Sequence, residues 1–134
     1  MIKVIIADDH KLMREALKLV LSAASRIEVL ALCNDGTEAA ASCRALAPDV
    51  VLMDINMHPI NGIDATRLIR SFSESIKVIG LSMHNDYSYV KALMDAGANG
   101  YVTKNAGGEE IINAIFKVME GKEYFCTDIN LLRL

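Results

Sequence analysis

The chain has 134 residues, 52% of them hydrophobic and 5% aromatic, and a formal net charge of -3. That length suits one domain burying about two-thirds of the surface its unfolded chain would expose, and the scattered Lys and Arg exclude an electrostatic footprint for nucleic acid. Cys33, Cys43 and Cys126 lack C-x-x-C spacing, which excludes a metal knuckle and points to reduced thiols, while no apolar run nears the roughly 20 residues that span a bilayer.

In chain order, apolar runs of strand length stand at 2–7, 29–33, 50–53, 77–81 and 100–103. The first runs into Asp8 and Asp9, too short and too acidic for a signal peptide, so a cytoplasmic protein is expected. Helical stripes fill the gaps: Leu12, Ala16, Leu19, Val20 and Ala23, then Ala39, Ala40, Cys43 and Leu46, then Ala65, Leu68, Ile69 and Phe72. Val90, Leu93, Met94 and Gly97 form a fourth stripe, and Ile111, Ile112, Ile115, Val118 and Met119 a fifth. Asp35 and Asn61 stand where helix caps are needed, each with an acid three residues later, and Gly97 and Gly121 mark stops.

Strands apolar on both faces, alternating with helices, predict a parallel sheet covered on both sides. The expected fold is α/β: a flavodoxin-like, doubly wound, five-stranded parallel sheet in the order 2-1-3-4-5, with five helices. The first and third strands are then neighbours, and Asp8, Asp9 and Asp54 follow or end them. At a strand spacing of roughly 4.8 Å the carboxylates should lie within about 5 to 7 Å of one another. Two such charges repel by roughly 3 kcal/mol at an effective dielectric near 20, so the set calls for a cation. All-oxygen ligands with room for water suit Mg2+. Ser82 and Lys104, at the ends of the fourth and fifth strands, point at the same crevice and offer donors to a transferred phosphoryl group.

On "IIADDH" at 5–10, "VVLMDINM" at 50–57, "IGLSMH" at 79–84 and "GANGYVTK" at 97–104, the chain resembles the receiver domain of bacterial two-component response regulators, in the subgroup with a LuxR-type carboxyl-terminal helix-turn-helix. The resemblance spans a receiver over 1–121, with 122–134 the start of a linker toward a DNA-binding domain beyond this chain. It implies that Asp54 accepts a phosphoryl group from a sensor histidine kinase, and that Asp9, Asp8 and Asp54 with the backbone carbonyl of Asn56 hold Mg2+. It also implies that Lys104 pairs with the phosphoryl group, Ser82 is the switch hydroxyl and Tyr101 the aromatic that turns inward. Output passes through the fourth helix, fifth strand and fifth helix, with homodimerisation on phosphorylation and no membrane partner.

Two departures stand out. His58 and Pro59 occupy places where the family carries Pro and Gly, and Gly107 and Gly108 open the fifth helix where a capping Ser and a Pro are usual, which predicts a loose loop after Lys104. His10, His58 and His84 all fall in loops at the active end but need not converge. The alternative function is a Mg2+-dependent phosphatase or phosphotransferase with an aspartyl nucleophile; it would need an acid two residues after Asp54, where Asn56 stands.

Overall fold

The computed structural model describes residues 1–83 and 87–125, with Tyr87 described by its backbone alone. Strands β1 (Ile2–Ala7), β2 (Ile27–Cys33), β3 (Val50–Asp54), β4 (Lys77–Ser82) and β5 (Gly100–Thr103) alternate with helices α1 (Lys11–Ser22), α2 (Gly36–Leu46), α3 (Gly62–Phe72), α4 (Tyr87–Asp95) and α5 (Gly108–Met119). The strands pair in parallel in the order β2-β1-β3-β4-β5, extended by β6 (Tyr124–Phe125) on the edge of β5. β3 is buried along its whole length, the signature of a strand covered on both faces. α1 packs beside α5, while α2 lies beside α3 and α3 beside α4, so helices clothe the sheet on two sides.

The expected caps form. Asp35 accepts a hydrogen bond from the Glu38 amide at 2.9 Å and Asn61 from the Asp64 amide at 2.8 Å, each satisfying an orphan donor of a first helical turn. Gly97 and Gly121 take the positive φ values, 110° and 86°, that favour glycine after a helix.

Several apolar assignments need correction. On α1 the buried face is Leu17 and Leu21, flanked by the half-buried Met13 and Val20, with Ala24 half-buried just past the helix end. Leu12 and Leu19 are 86% and 75% exposed, and Ala16 and Ala23 also face water. The helix carries two apolar stripes one residue apart, about 100° around its axis, and the one with the larger side chains is buried because it removes more apolar area from water. Leu46, Leu68 and Met119, at the rims of their helices, are exposed as well. Gly97 lies past the end of α4 and terminates it rather than facing the core.

The sixth strand falls in the stretch expected to be linker. Its entry depends on Gly100, where a Cβ would stand 2.9 Å from the Tyr124 carbonyl oxygen. The Tyr124 hydroxyl donates to Glu110 on α5 at 2.9 Å, and the Tyr124 amide donates to the Asn99 carbonyl at 3.2 Å. A two-residue strand carries no periodicity to read. The other expected linker positions at 126–134 lie outside the described residues.

The phase of α1 is directly testable. Leu17→Ala should cost about 2–4 kcal/mol in urea denaturation, and Leu19→Ala no more than about 0.5 kcal/mol. Equal losses would contradict the assignment of the buried face.

Candidate functional site

The crossover from β2 to β1 to β3 brings the first loop and the end of β3 to one crevice, as the strand order demands. Ligand atoms of Asp8, Asp9, His10 and Asp54 all lie within 4.8 Å of one another, at the near end of the separation expected from strand spacing. Asp8 and Asp54 are buried, at 0% and 1% exposure, while the Asp9 side chain keeps 29% of its surface in contact with solvent. Lys104 reaches in from the loop after β5 and sets its Nζ 2.8 Å from Asp8 Oδ2 and 3.1 Å from Asp54 Oδ2.

Local backbone bonding fixes these side chains. The Asp8 amide donates to the Cys33 carbonyl at 3.0 Å, and the Lys104 amide to the Ser82 carbonyl at 2.8 Å. Asp54 Oδ1 accepts from the Asn56 amide at 3.1 Å, and the Gly62 amide closes the intervening loop by donating to the Ile55 carbonyl at 2.9 Å. Gly62 is obligatory here because a Cβ would collide with the Asp54 backbone carbonyl. A residue not singled out in the sequence, Arg14, donates to the Asp8 carbonyl at 2.8 Å and to Asn34 Oδ1 at 3.0 Å, tying α1 to the acidic loop. Its position one turn into α1, over the loop, was the available signal.

The remaining expected site residues are placed as follows. Ser82, fully buried, ends β4 opposite Thr103 of β5, itself 4% exposed, so two hydroxyls share that corner of the crevice. Tyr101 is fully buried with its ring against Gly80, in the inward position. Asn56 is exposed in the loop after Asp54. His58 is exposed beside Pro59, and among the described residues only His10 of the histidines joins the acids; His84 lies outside the described residues. Gly107 caps α5 in open space, but Gly108 does not belong to a loose loop: a Cβ there would stand 2.7 Å from Val20 Cγ1, where α5 meets α1.

A family model described as the response regulator receiver domain matches residues 4–116. The chain belongs to the response regulator receiver domain family. It is 39% identical over 129 residues to the response regulator UvrY of Escherichia coli O157:H7, covering 96% of this chain and 59% of that protein. It is 38% identical over 129 residues to GacA of Pseudomonas aeruginosa, covering 96% and 60%. The chain thus spans about 60% of the length of these relatives. Among solved structures, a LuxR-family response regulator from Aurantimonas sp. SI85-9A1 superposes with a TM-score of 0.92 at 30% identity, covering 96% of this chain and 92% of that one. The receiver domain of the NarL regulator from Mycobacterium tuberculosis gives 0.87 at 29% identity, covering 90% and 98%.

In this receiver domain one ammonium faces three carboxylates, an excess of two negative charges when all are ionised. The buried oxygens Asp8 Oδ2 and Asp54 Oδ2 share the single Lys104 ammonium, and Asp9 Oδ1, also buried, has only the exposed His10 ring beside it. Acceptors so placed fit a divalent cation, and the cluster is able to hold one. A groove of about 260 Å³ lined by His10, Met13, Met83 and Lys104 opens beside them. Larger hollows of about 400 and 430 Å³ lie around Ile2 and Arg26 at the amino ends of the strands and include none of these acids.

Burial, and then the neighbouring charge of Asp8, push the Asp54 carboxyl above the ordinary carboxylate range, against the pull of the Asn56 amide and Lys104. Burial alone would lower the Lys104 ammonium, but its hydrogen bond to Asp8 and the charge of Asp54 carry it above its ordinary value. Since native Asp54 holds its proton to higher pH than the unfolded chain does, stability is lost as pH rises from the unfolded value through the native one. Asp54→Asn abolishes that loss. Without metal, its Tm at pH 7.5 should exceed that of the unaltered protein by about 2–4 °C, roughly 1 kcal/mol, and the gap should close as pH falls below about 4, near the unfolded carboxyl value. Equal Tm values at pH 7.5 in scanning calorimetry would contradict it.

Proposed function

We propose that this receiver domain is a phosphorylation-dependent switch in which Asp54 takes a phosphoryl group from a phosphohistidine of a sensor kinase. The observation that carries the reading is Lys104 Nζ seated between Asp8 and Asp54, 2.8 Å from one carboxylate and 3.1 Å from the other, with the carboxylate of Asp9 gathered beside them. An Asp54 carboxylate oxygen attacks phosphorus, the phosphorus–nitrogen bond of the donor breaks, and an acyl phosphate remains on Asp54. Asp8, Asp9, Asp54 and the Asn56 carbonyl would hold Mg2+, which when bound neutralises charge on the phosphoryl oxygens.

Lys104 then exchanges its carboxylate partner for the added phosphoryl oxygens. Ser82 donates its hydroxyl to them, and buried Tyr101 accompanies the movement of β4. Such charge-assisted contacts exist only in the modified state, so they bias an equilibrium between two conformations of the α4, β5 and α5 surface. Homodimerisation follows from that shift. Transcriptional control is the proposed output, in keeping with relatives named as transcriptional regulatory proteins. Among the described residues no helix is long and apolar enough to cross a membrane, and the proposed setting is the cytoplasm.

The test is incubation with Mg2+ and acetyl phosphate, read by intact-protein mass spectrometry. A gain of one phosphoryl group is expected, and Asp54→Asn should abolish it. A chain that stays unmodified, or an Asp54→Asn variant that gains the same mass, would overturn the reading.

A further inference from the structure

The short edge strand β6 stands in register with Tyr101. Gly100 of β5 pairs with Tyr124 and Tyr101 with Phe125, and paired residues of parallel strands carry their side chains to the same face of the sheet. A Cβ on Gly100 would stand 3.5 Å from Val118 Cγ1 of α5, and the Tyr124 hydroxyl donates to Glu110 of α5, so this pair faces α5. One residue on, Tyr101 and Phe125 face α4. Gly80, paired with Tyr101 from β4, leaves room for the Tyr101 ring, whose Cδ1 lies 3.4 Å from where a Cβ would be, beside Leu93 of α4. The ring therefore leans toward β4. Phe125, half-buried and packed on the core, stands on its other side at the strand spacing of about 4.8 Å. In the opposite staggered rotamer the Tyr101 ring leans off β4 and into the place of Phe125.

We propose that β6 is a strap that seats on the edge of β5 only while the Tyr101 ring is turned toward β4, so that the chain beyond Phe125 is held or released with the state of Asp54. The inference rests on the switch reading above and gives that switch an output element. Ser82 and Gly80 lie two residues apart on β4 and so share a face, which means that drawing Ser82 toward a phosphoryl group resets the room over Gly80. The strap is short enough to respond. It pairs over two residues, and its Tyr124 amide donates to the Asn99 carbonyl at 3.2 Å. An element of that size opens locally at small cost. Because Tyr101 outward and Phe125 seated exclude each other, whatever favours the inward ring favours the seated strap, and the converse holds by reciprocity.

The experiment follows hydrogen exchange of the amide at position 124 by NMR in the full chain with Mg2+, with and without excess acetyl phosphate, and reads intact mass on the same samples. Phosphorylation of the unaltered chain should slow that exchange about tenfold, within the usual range of coupling between two sites. Tyr124→Phe, which loses the bond to Glu110 but leaves Phe125 beside Tyr101, should exchange faster in both states and keep the ratio between them. Phe125→Ala, which clears the place the outward ring would take, should bring the ratio to one. A phosphorylated chain whose exchange at 124 is unchanged or faster, or any other pattern in the two variants, overturns the inference and leaves the phosphoacceptor reading standing. A chain that gains no phosphoryl group at Asp54 overturns both.

Discussion

One buried ammonium answering more negative charge than it can neutralise is the constraint on which the molecule turns. Lys104 satisfies an oxygen each of Asp8 and Asp54, and the further carboxylate of Asp9 stands beside them. Two carboxylates about 5 Å apart repel by roughly 3 kcal/mol at an effective dielectric near 20, a large fraction of the net stability of a domain. The metal-free fold tolerates this through the Asn56 amide and through the raised Asp54 carboxyl. It is a fold held off balance at one end, relieved by whatever brings positive charge or changes the charge on Asp54.

The rest of the architecture keeps that imbalance in place. β1 and β3 lie side by side only because the order reverses at β1, and β4 and β5 follow so that Ser82 and Lys104 arrive at the same end. Gly62 lets α3 start against the backbone of Asp54, and Arg14 ties α1 to the carbonyl of Asp8. Asp54 is thus joined to β4 by strand pairing and to the loop after β5 by Lys104, which also contacts Asp8. Tight packing makes such elements move between discrete arrangements rather than deform gradually.

Much of this was legible in the sequence, for reasons that also explain what was not. Strand runs such as Val50 to Met53 are apolar on both faces, so their identity survives without knowledge of their neighbours, and acids at their carboxyl ends follow from topology alone. Caps at Asp35 and Asn61 are local chemistry and were equally readable. The phase of α1 was harder to read, because its sequence offers two apolar stripes one residue apart that differ only in how much apolar area each can bury. β6 escaped because its two residues owe their place to Gly100 and to the Tyr124–Glu110 bond, both tertiary. Placing His10 in a loop at the active end was correct, but only coordinates could show its ring turned between Asp8 and Asp9.

The most direct test of the charge imbalance is the Tm of the domain with and without millimolar Mg2+, for the unaltered chain and for Asp9→Asn. A cation that relieves buried repulsion stabilises the form that binds it, so the Tm of the unaltered chain should rise by several degrees and that of Asp9→Asn should stay where it was. No rise in the unaltered chain, or the same rise in both, would mean that the carboxylates gathered around Lys104 do not form the cation site on which the proposed switch depends.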